Sequence, residues 1–367
     1  MSKRVLAART PGAELPARLN AIIVDRLMGL APDADPRGVA GPPARPAAGT
    51  ARALFIVLAL VHLAFVAALF AVFERFPTAG WAALLLYAPR AVFALPALIT
   101  VVALRGWWRL VPALTAALVL GPLMGLHLNG PSRAGEVRLV AWNVWWGAGD
   151  PEAVRAALAE AKPDLVLFEA AAHPVDVVLR APPFQAFTYL HEDQYVLASR
   201  WPARAVAQGT FVSERIHRPW VRFAVDSPIG TLDVIAVHPH SPRALFRGGV
   251  RRALGGEKAE LFFLQAQLGE IDQAVRGAGP LRIVAGDFNV PERAGLMSGF
   301  FAAEADAFAG AGNGYGYTFP ANGRWFPWMR LDRILTGPGL RATRARVIGR
   351  RGSDHAAVLV ELERAGP

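Results

Sequence analysis

Eight residues in the C-terminal two thirds of the chain share a position as well as a chemistry. Asn143 follows the apolar run Val137 to Trp142, Glu169 follows Leu165 to Phe168, His238 follows Leu232 to Val237, and Asp287 with Asn289 follows Arg282 to Ala285. Asp332 stands just before Arg333 to Thr336, and Asp354 with His355 just before Ala356 to Leu362. Apolar runs of this length read as strands, and strand ends are where a rigid scaffold presents catalytic groups to loops. A lone Asp or Asn at such an end commonly only makes a turn; the ordered set argues for a site. Carboxylates and an amide carbonyl are ligands for a hard cation, and imidazoles hold or give a proton near neutrality. Cysteine is absent, which excludes disulfides, thiolate metal sites and cysteine nucleophiles.

The elements that must position these residues are strand-rich. Beyond the runs above, Tyr195 to Ser199 and Val221 to Val225 read as strands, and Ser227-Pro228-Ile229-Gly230 is a tight turn between neighbours. Asp150 caps a helix that has Pro151 at its first position, and Glu257 to Arg276 repeats Leu261, Leu264, Leu268, Ile271 and Val275 at helical spacing. Many strands and few long helices predict an α/β domain of two packed sheets with helices outside, rather than a doubly wound parallel sheet. This domain spans 136–367, after a turn-rich joint at Pro131 to Gly135.

The rest of the chain differs in kind. Of 367 residues, 53% are hydrophobic and only 19% charged, with a mean hydropathy of +0.30, too apolar for an ordinary soluble domain. Ala53 to Phe73 and Leu110 to Ser132 are uncharged runs long enough, at about 1.5 Å per residue, to cross about 30 Å of hydrocarbon. Between them Trp81 to Leu104 predicts one more crossing, with Arg90 snorkelling toward the interface and Pro96 tolerated as a kink. The expected organisation is a cytoplasmic tail and linker over 1–52, a membrane domain of three transmembrane helices over 53–130, and the α/β domain. In the tail, Leu15 to Leu30 has the spacing of a short amphipathic helix or is disordered, and 31–50 is a Pro/Ala/Gly linker. Eight Lys/Arg lie in residues 1–52, and Arg105 and Arg109 lie in the second loop, so the positive-inside rule puts both in the cytoplasm. Three crossings then deliver the α/β domain outside the cytoplasm at the cell membrane; if the Arg90 segment does not cross, the orientation inverts. The first apolar run begins too late for a secretory signal peptide.

Taken in order, WNVWWG, PDLVLFEA, AVHPHSP, AGDFN, RLDRIL and SDHAAV resemble the endonuclease/exonuclease/phosphatase (DNase I-like) superfamily over residues 136–363. With its upstream crossings the chain is similar to a membrane-bound bacterial branch that includes teicoplanin-resistance proteins. The resemblance implies a four-layered α/β sandwich and metal-dependent hydrolysis of a phosphoester. It also implies roles. Asn143, Glu169 and Asp354 would hold Mg2+ (or Mn2+), and Asp287 would be the base that aligns or deprotonates water, with Asn289 positioning it. His355 would donate to the scissile phosphate, Asp332 would fix its tautomer, and His238 matches the second histidine of the family. Val144-Trp145-Trp146-Gly147 after Asn143, and Phe168 before Glu169, depart from the abasic-site enzymes and count against DNA repair.

Two features bear on the substrate. Trp325-Phe326-Pro327-Trp328 is an aromatic cluster of the kind found at membrane interfaces. Arg243, Arg247, Arg251, Arg252 and Lys258 form a segment with no acid between Asp233 and Glu257, either a solvated loop or a cradle for a phosphate. With the tether they favour a lipid-linked phosphoester at the bilayer. Nucleic acid is not favoured, because residues 136–367 carry 26 Lys/Arg against 24 Asp/Glu and gripping nucleic acid needs a positive surface. The alternatives are a membrane-tethered nuclease with the same site and a non-catalytic binding domain. Retention of the whole polar set argues against the latter, and nothing in the sequence speaks to oligomeric state.

Overall fold

A computed structural model describes residues 48–145, 149–171, 174–211, 219–247, 259–323 and 326–366. The expected tail helix, most of the linker, Trp146-Gly147, Trp325, Arg251, Arg252 and Lys258 lie outside them. Residues 48–50, expected in the linker, already belong to the first helix.

Among the described residues, twelve strands form two six-stranded mixed sheets. The first runs β11 (Leu340–Ile348), β12 (Ala357–Arg364), β1 (Val137–Asn143), β2 (Leu165–Glu169), β4 (Tyr195–Ser199), β3 (Thr188–Glu192). The second runs β5 (Ala203–Thr210), β6 (Pro219–Ser227), β7 (Gly230–Val237), β8 (Arg282–Asp287), β10 (Asp332–Thr336), β9 (Ala305–Asp306). The central strands are apolar on both faces because both faces are covered. Leu139, Leu167, Phe223, Val234, Ile283 and Val360 fill the space between the sheets. On the outer face of the first sheet, Val140, Trp142, Phe168 and Leu359 pack on Leu158 of the helix Pro151–Ala161 and on Val178 of the helix Pro174–Arg180. On the outer face of the second, Ile235, Val284 and Leu335 pack on Leu261, Leu264, Leu268 and Ile271 of the helix Ala259–Arg276. The result is the expected four layers.

Strand direction gathers the polar set at one end of the sandwich. β1 and β2 are parallel, so Asn143 and Glu169 finish side by side in register. β7 and β8 are also parallel, pairing Val237 with Gly286, which leaves His238 beside Asp287. β10 runs antiparallel to β8 and therefore begins at that end, with Asp332 opposite Asp287. β12 runs antiparallel to β1 and likewise begins there, just after His355.

Among the described residues, two helical stretches, Gly49–Arg75 and Gly106–Leu123, are long and apolar enough to cross a membrane. The expected middle crossing is bent, as a broken span or a re-entrant loop would be. Gly80–Leu86 and Arg90–Ala103 meet at 84° across residues 87–89, which include Pro89, where a helix loses a backbone donor. Pro96, expected to kink the crossing, sits in the first turn of Leu95–Ala103, where no intrahelical donor is required. Arg90 does not snorkel. It is buried and donates to the carbonyls of Leu123 (2.7 Å) and Glu292 (2.5 Å), with its guanidinium 5.3 Å from the Phe73 ring. A cation so placed avoids the several kcal/mol cost, in order of magnitude, of an unpaired buried charge.

Residues 55–367 form one unit in which the apolar helices are fastened to the sandwich. Glu74 Oε1 accepts from Ser298 Oγ at 3.2 Å, and a Cβ on Gly295 would lie 2.6 Å from the Glu74 carbonyl, so only glycine permits that approach. Tyr315 and Tyr317 donate to the carbonyls of Leu120 and Met124, both at about 2.8 to 2.9 Å. Beneath them Arg330 is fully buried between Glu292 (2.9 Å) and Asp306 (2.7 Å), and Glu292 also pairs with His127. All these contacts lie at one end of the apolar helices. The loop 104–109 with Arg105, Trp107, Trp108 and Arg109 closes the other end of the antiparallel pair formed by Leu95–Ala103 and Leu110–Leu118.

Candidate active site

Asp287 ends β8, and its carboxylate is the hub of the site. Its Oδ1 accepts from the backbone N–H of Asn289 at 2.8 Å. Its Oδ2 accepts from Asn143 Nδ2 at 3.1 Å and lies 3.7 Å from both His238 Nε2 and His355 Nε2. The end of β8 and the loop after it are held in an unusual backbone conformation, with Gly286 in the strand at φ +150° and Asn289 in the loop at φ +54°. A Cβ on Gly286 would fall 1.9 Å from the Val237 carbonyl and 3.0 Å from Glu169 Oε2, which explains the glycine of the GDFN sequence. Asn289 positions Asp287 through its backbone; its side-chain amide donates to the Pro239 carbonyl at 3.1 Å and so ties together the loops that follow β7 and β8.

Both histidines are oriented. His355 Nδ1 donates to Asp332 Oδ2 at 2.8 Å, leaving Nε2 toward Asp287. Burial alone would lower the His355 pKa, but the carboxylates of Asp332 and Asp287 overcome it and hold the value at about 9, so the ring is cationic at neutrality. His238 Nδ1 donates to Gln194 Oε1 at 2.9 Å, which turns its Nε2 toward Asp287. Gln194 was not legible in the sequence as a site residue; it lies at the turn before β4, in no recognisable pattern.

Glu169 is wholly buried, and its Oε2 accepts from the Asp287 N–H at 2.5 Å. Burial, then the nearby Asp332 and Asp287 carboxylates, push its pKa well above the usual range. Its Oε1 and the Oδ1 of Asp332 are buried without a hydrogen-bond partner. Unpaired buried carboxylate oxygens beside like charges are costly unless a cation joins them, and the donors are the oxygens a hard divalent ion takes. Asp287, Asp332 and His355 also have ligand atoms within 4.8 Å of one another. The residues present therefore fit a divalent metal. Asp354 is brought to the same cavity, but its carboxylate faces Arg243 Nη2 (3.2 Å) and Ser353 Oγ (3.4 Å).

Asn143, His238, Asp287, Asn289, Asp354 and His355 line a cavity of about 580 Å³, and the buried Glu169 and Asp332 lie behind that lining; the volume is within the size range of small-ligand sites. Arg243 stands in it with its guanidinium 5.2 Å from the Phe319 ring; it is the residue of the expected basic segment that the described structure places there. Of the aromatic cluster, Trp328 lines the cavity and Phe326 is fully exposed. His240 also lines it, and contacts Glu260. One wall comes from the apolar N-terminal segment: Leu84, Tyr87 and Ala88, at the end of Gly80–Leu86. Tyr87 Oη donates to the Asn289 carbonyl at 2.8 Å, and Trp328 Nε1 donates to the Tyr87 carbonyl at 3.1 Å. Sequence reading missed this wall because its residues look like any others in an apolar run.

The sequence pattern described as "Endonuclease/Exonuclease/phosphatase family" matches residues 140–355. Solved structures similar to the chain include a humanized D. rerio TDP2 (19% identity, 62% of this chain and 98% of that one, TM-score 0.46). Another is a mannosyl-6-phosphatase of Bacteroides thetaiotaomicron VPI-5482 (17% identity, 62% and 99%, TM-score 0.46). A third is an endonuclease/exonuclease/phosphatase from Beutenbergia cavernae DSM 12333 (16% identity, 64% and 72%, TM-score 0.45). No curated protein matches the chain.

Proposed function

The chain belongs to the endonuclease/exonuclease/phosphatase family, and we propose that it is a membrane-anchored, divalent-metal-dependent phosphoester hydrolase acting outside the cytoplasm on a lipid-linked phosphate. One observation carries this reading: the convergence of Asn143, His238 and His355 on a single oxygen of Asp287, in a cavity that shares a wall with the apolar helices.

Glu169 and Asn143, with Asp354 nearby, would hold Mg2+ or Mn2+, which when bound polarises a phosphoryl oxygen and offsets transition-state charge. Asp287, fixed at Oδ1 by the Asn289 N–H, would orient water and take its proton. His355 presents a cationic Nε2 to a phosphate oxygen, while Asp332 holds the other ring nitrogen and keeps the proton on the ring. His238, turned by Gln194, supplies a second imidazole on the same side. The membrane-bound bacterial branch that the sequence resembles shares this combination of tether and site.

The test is hydrolysis by the full chain in detergent, with and without Mg2+ or Mn2+, of a polyprenyl-linked phosphate, a sphingomyelin-like lipid and DNA. Metal-dependent turnover of a lipid substrate supports the reading. Turnover of DNA alone would replace it with a tethered nuclease.

A further inference from the structure

We infer that Leu84, Tyr87, Ala88, Phe246, Trp328 and Met329 form a subsite for the aliphatic chain of the substrate, so that the membrane segment is part of the active site and not only its anchor. The inference rests on the hydrolase reading above and adds what holds the non-phosphate part of the molecule.

The six side chains carry no charge and lie in the same cavity as His238, Asp287 and His355. A ligand that fills this cavity must have an anionic end at the polar groups and an apolar part against the wall, which is the description of a long-chain alkyl or prenyl phosphoester. The wall is held in register with the polar floor. Tyr87 is bonded to the Asn289 carbonyl on one side and to Trp328 on the other, and its ring lies 5.2 Å from that of Phe246. A chain leaving the wall has an apolar path, because the segment that follows exposes Val92, Leu95, Leu98, Ile99 and Val102. Large apolar side chains exposed on a helix of this kind are those that face lipid. The bend of 84° across residues 87–89 therefore has a use: it turns Gly80–Leu86 away from Arg90–Ala103 where Leu84, Tyr87 and Ala88 line the cavity.

The experiment uses the full chain in detergent with Mg2+ and two matched series, monoalkyl phosphates and alkyl p-nitrophenyl phosphates, with ethyl, hexyl and dodecyl chains. Each methylene taken out of water improves binding several-fold. The dodecyl to ethyl ratio of kcat/KM is thus expected to reach about 10² or more in the wild type. Leu84→Asp and Ala88→Trp, one charging and one filling the wall, should each bring that ratio close to one. Folding of each variant is read separately from its thermal transition. A wild-type ratio near one, with hydrolysis of the short esters intact, overturns the subsite while the hydrolase reading stands. So does a large wild-type ratio that both folded variants retain. Failure to hydrolyse any member of either series, with Mg2+ or Mn2+, overturns the hydrolase reading and the subsite with it.

Discussion

His355 Nδ1 lies 2.8 Å from Asp332 Oδ2, although the two residues precede or begin strands of different sheets. Adjacency of their strands within one sheet would have been the simplest route to such a pair. The contact is instead made across the sandwich, where β10 and β12 face each other. Because the two side chains act through one imidazole, their losses should not multiply. His355→Ala is expected to lower kcat by about 10² to 10⁴, roughly 3 to 5 kcal/mol of transition-state stabilisation. Asp332→Asn should cost less, and the double variant should be hardly slower than His355→Ala. Steady-state kinetics of the three proteins decide it; independent, multiplying losses would remove the pair from the mechanism.

The same pair sets a pH dependence. The His355 pKa is raised to about 9 in the folded protein, so the cationic ring persists through neutrality and is lost as pH rises through about 9. Activity should therefore fall on the alkaline side near that value. Whatever stability the charged ring contributes is complete below the unfolded value of about 6.5 and disappears over the same rise. In Asp332→Asn the largest raising influence is gone, so the alkaline limb should move to lower pH. A limb that stays in place assigns the titration to another group.

Which strands could be read from the sequence follows from burial. The eight runs that read as strands, β1, β2, β4, β6, β7, β8, β10 and β12, are interior to the two sheets. The four that did not, β3, β5, β9 and β11, are the four sheet edges, where half or more of the side chains meet water and no continuous apolar run forms. The site shows the same division. Residues at the ends of buried strands announce themselves by a polar type after an apolar run. Gln194 and Tyr87 act on the site from a turn and from an apolar helix end, and no spacing marks them.

Removal of the Glu169 charge separates metal binding from folding. Glu169 is buried beside Asp332 and Asp287, which raises its pKa and makes the metal-free carboxylate cluster self-repelling. Glu169→Gln should leave the thermal midpoint of the metal-free protein unchanged or higher. In the wild type, saturating Mg2+ should raise the midpoint, since a ligand at about 100 times its Kd adds roughly 2.7 kcal/mol. That rise should be mostly absent in Glu169→Gln, together with most activity. A full Mg2+ shift in the variant would mean that the ion is held elsewhere.

Arg330 pairs with Asp306 of β9 and with Glu292, which in turn meets Arg90 and His127 at the ends of the apolar helices. Arg330→Met takes one partner from two part-buried carboxylates that keep His127 and Arg333, so the cost should fall below the roughly 3 to 5 kcal/mol of breaking a fully buried pair. Burial would raise the Glu292 carboxyl, but His127 and Arg330 hold it far below its usual range. The associated stability is present above the ordinary carboxylate value of about 4.3 and is lost as pH falls below it. The wild type should accordingly lose stability on acidification, and Arg330→Met should be less stable at pH 7 with a shallower acid dependence. Thermal melts across that pH range measure both.

The contacts of the apolar helices also bear on topology. Glu74 at the end of the first helix, Arg90 at the start of the third segment, and Leu120 and Met124 at the end of the last all meet the sandwich. If Gly49–Arg75 ends on the sandwich side, Arg90–Ala103 must lead away from it and Gly106–Leu123 must return, with Gly80–Leu86 staying at the surface. That path has three passes, places Arg105 and Arg109 on the side opposite the sandwich, and agrees with a cytoplasmic N-terminus under the positive-inside rule. Arg90–Ala103 is short for a pass: nine α-helical and five 3-10 residues rise on the order of 24 Å. A short span is accommodated by local thinning of the bilayer at modest cost. A reporter fused after Leu362 should then be active only if it works outside the cytoplasm, and one placed at residues 105–109 only if it works inside. Cytoplasmic activity at Leu362 would mean that the bent pair dips into the membrane and returns, and the substrate would then have to be reached from the inner leaflet.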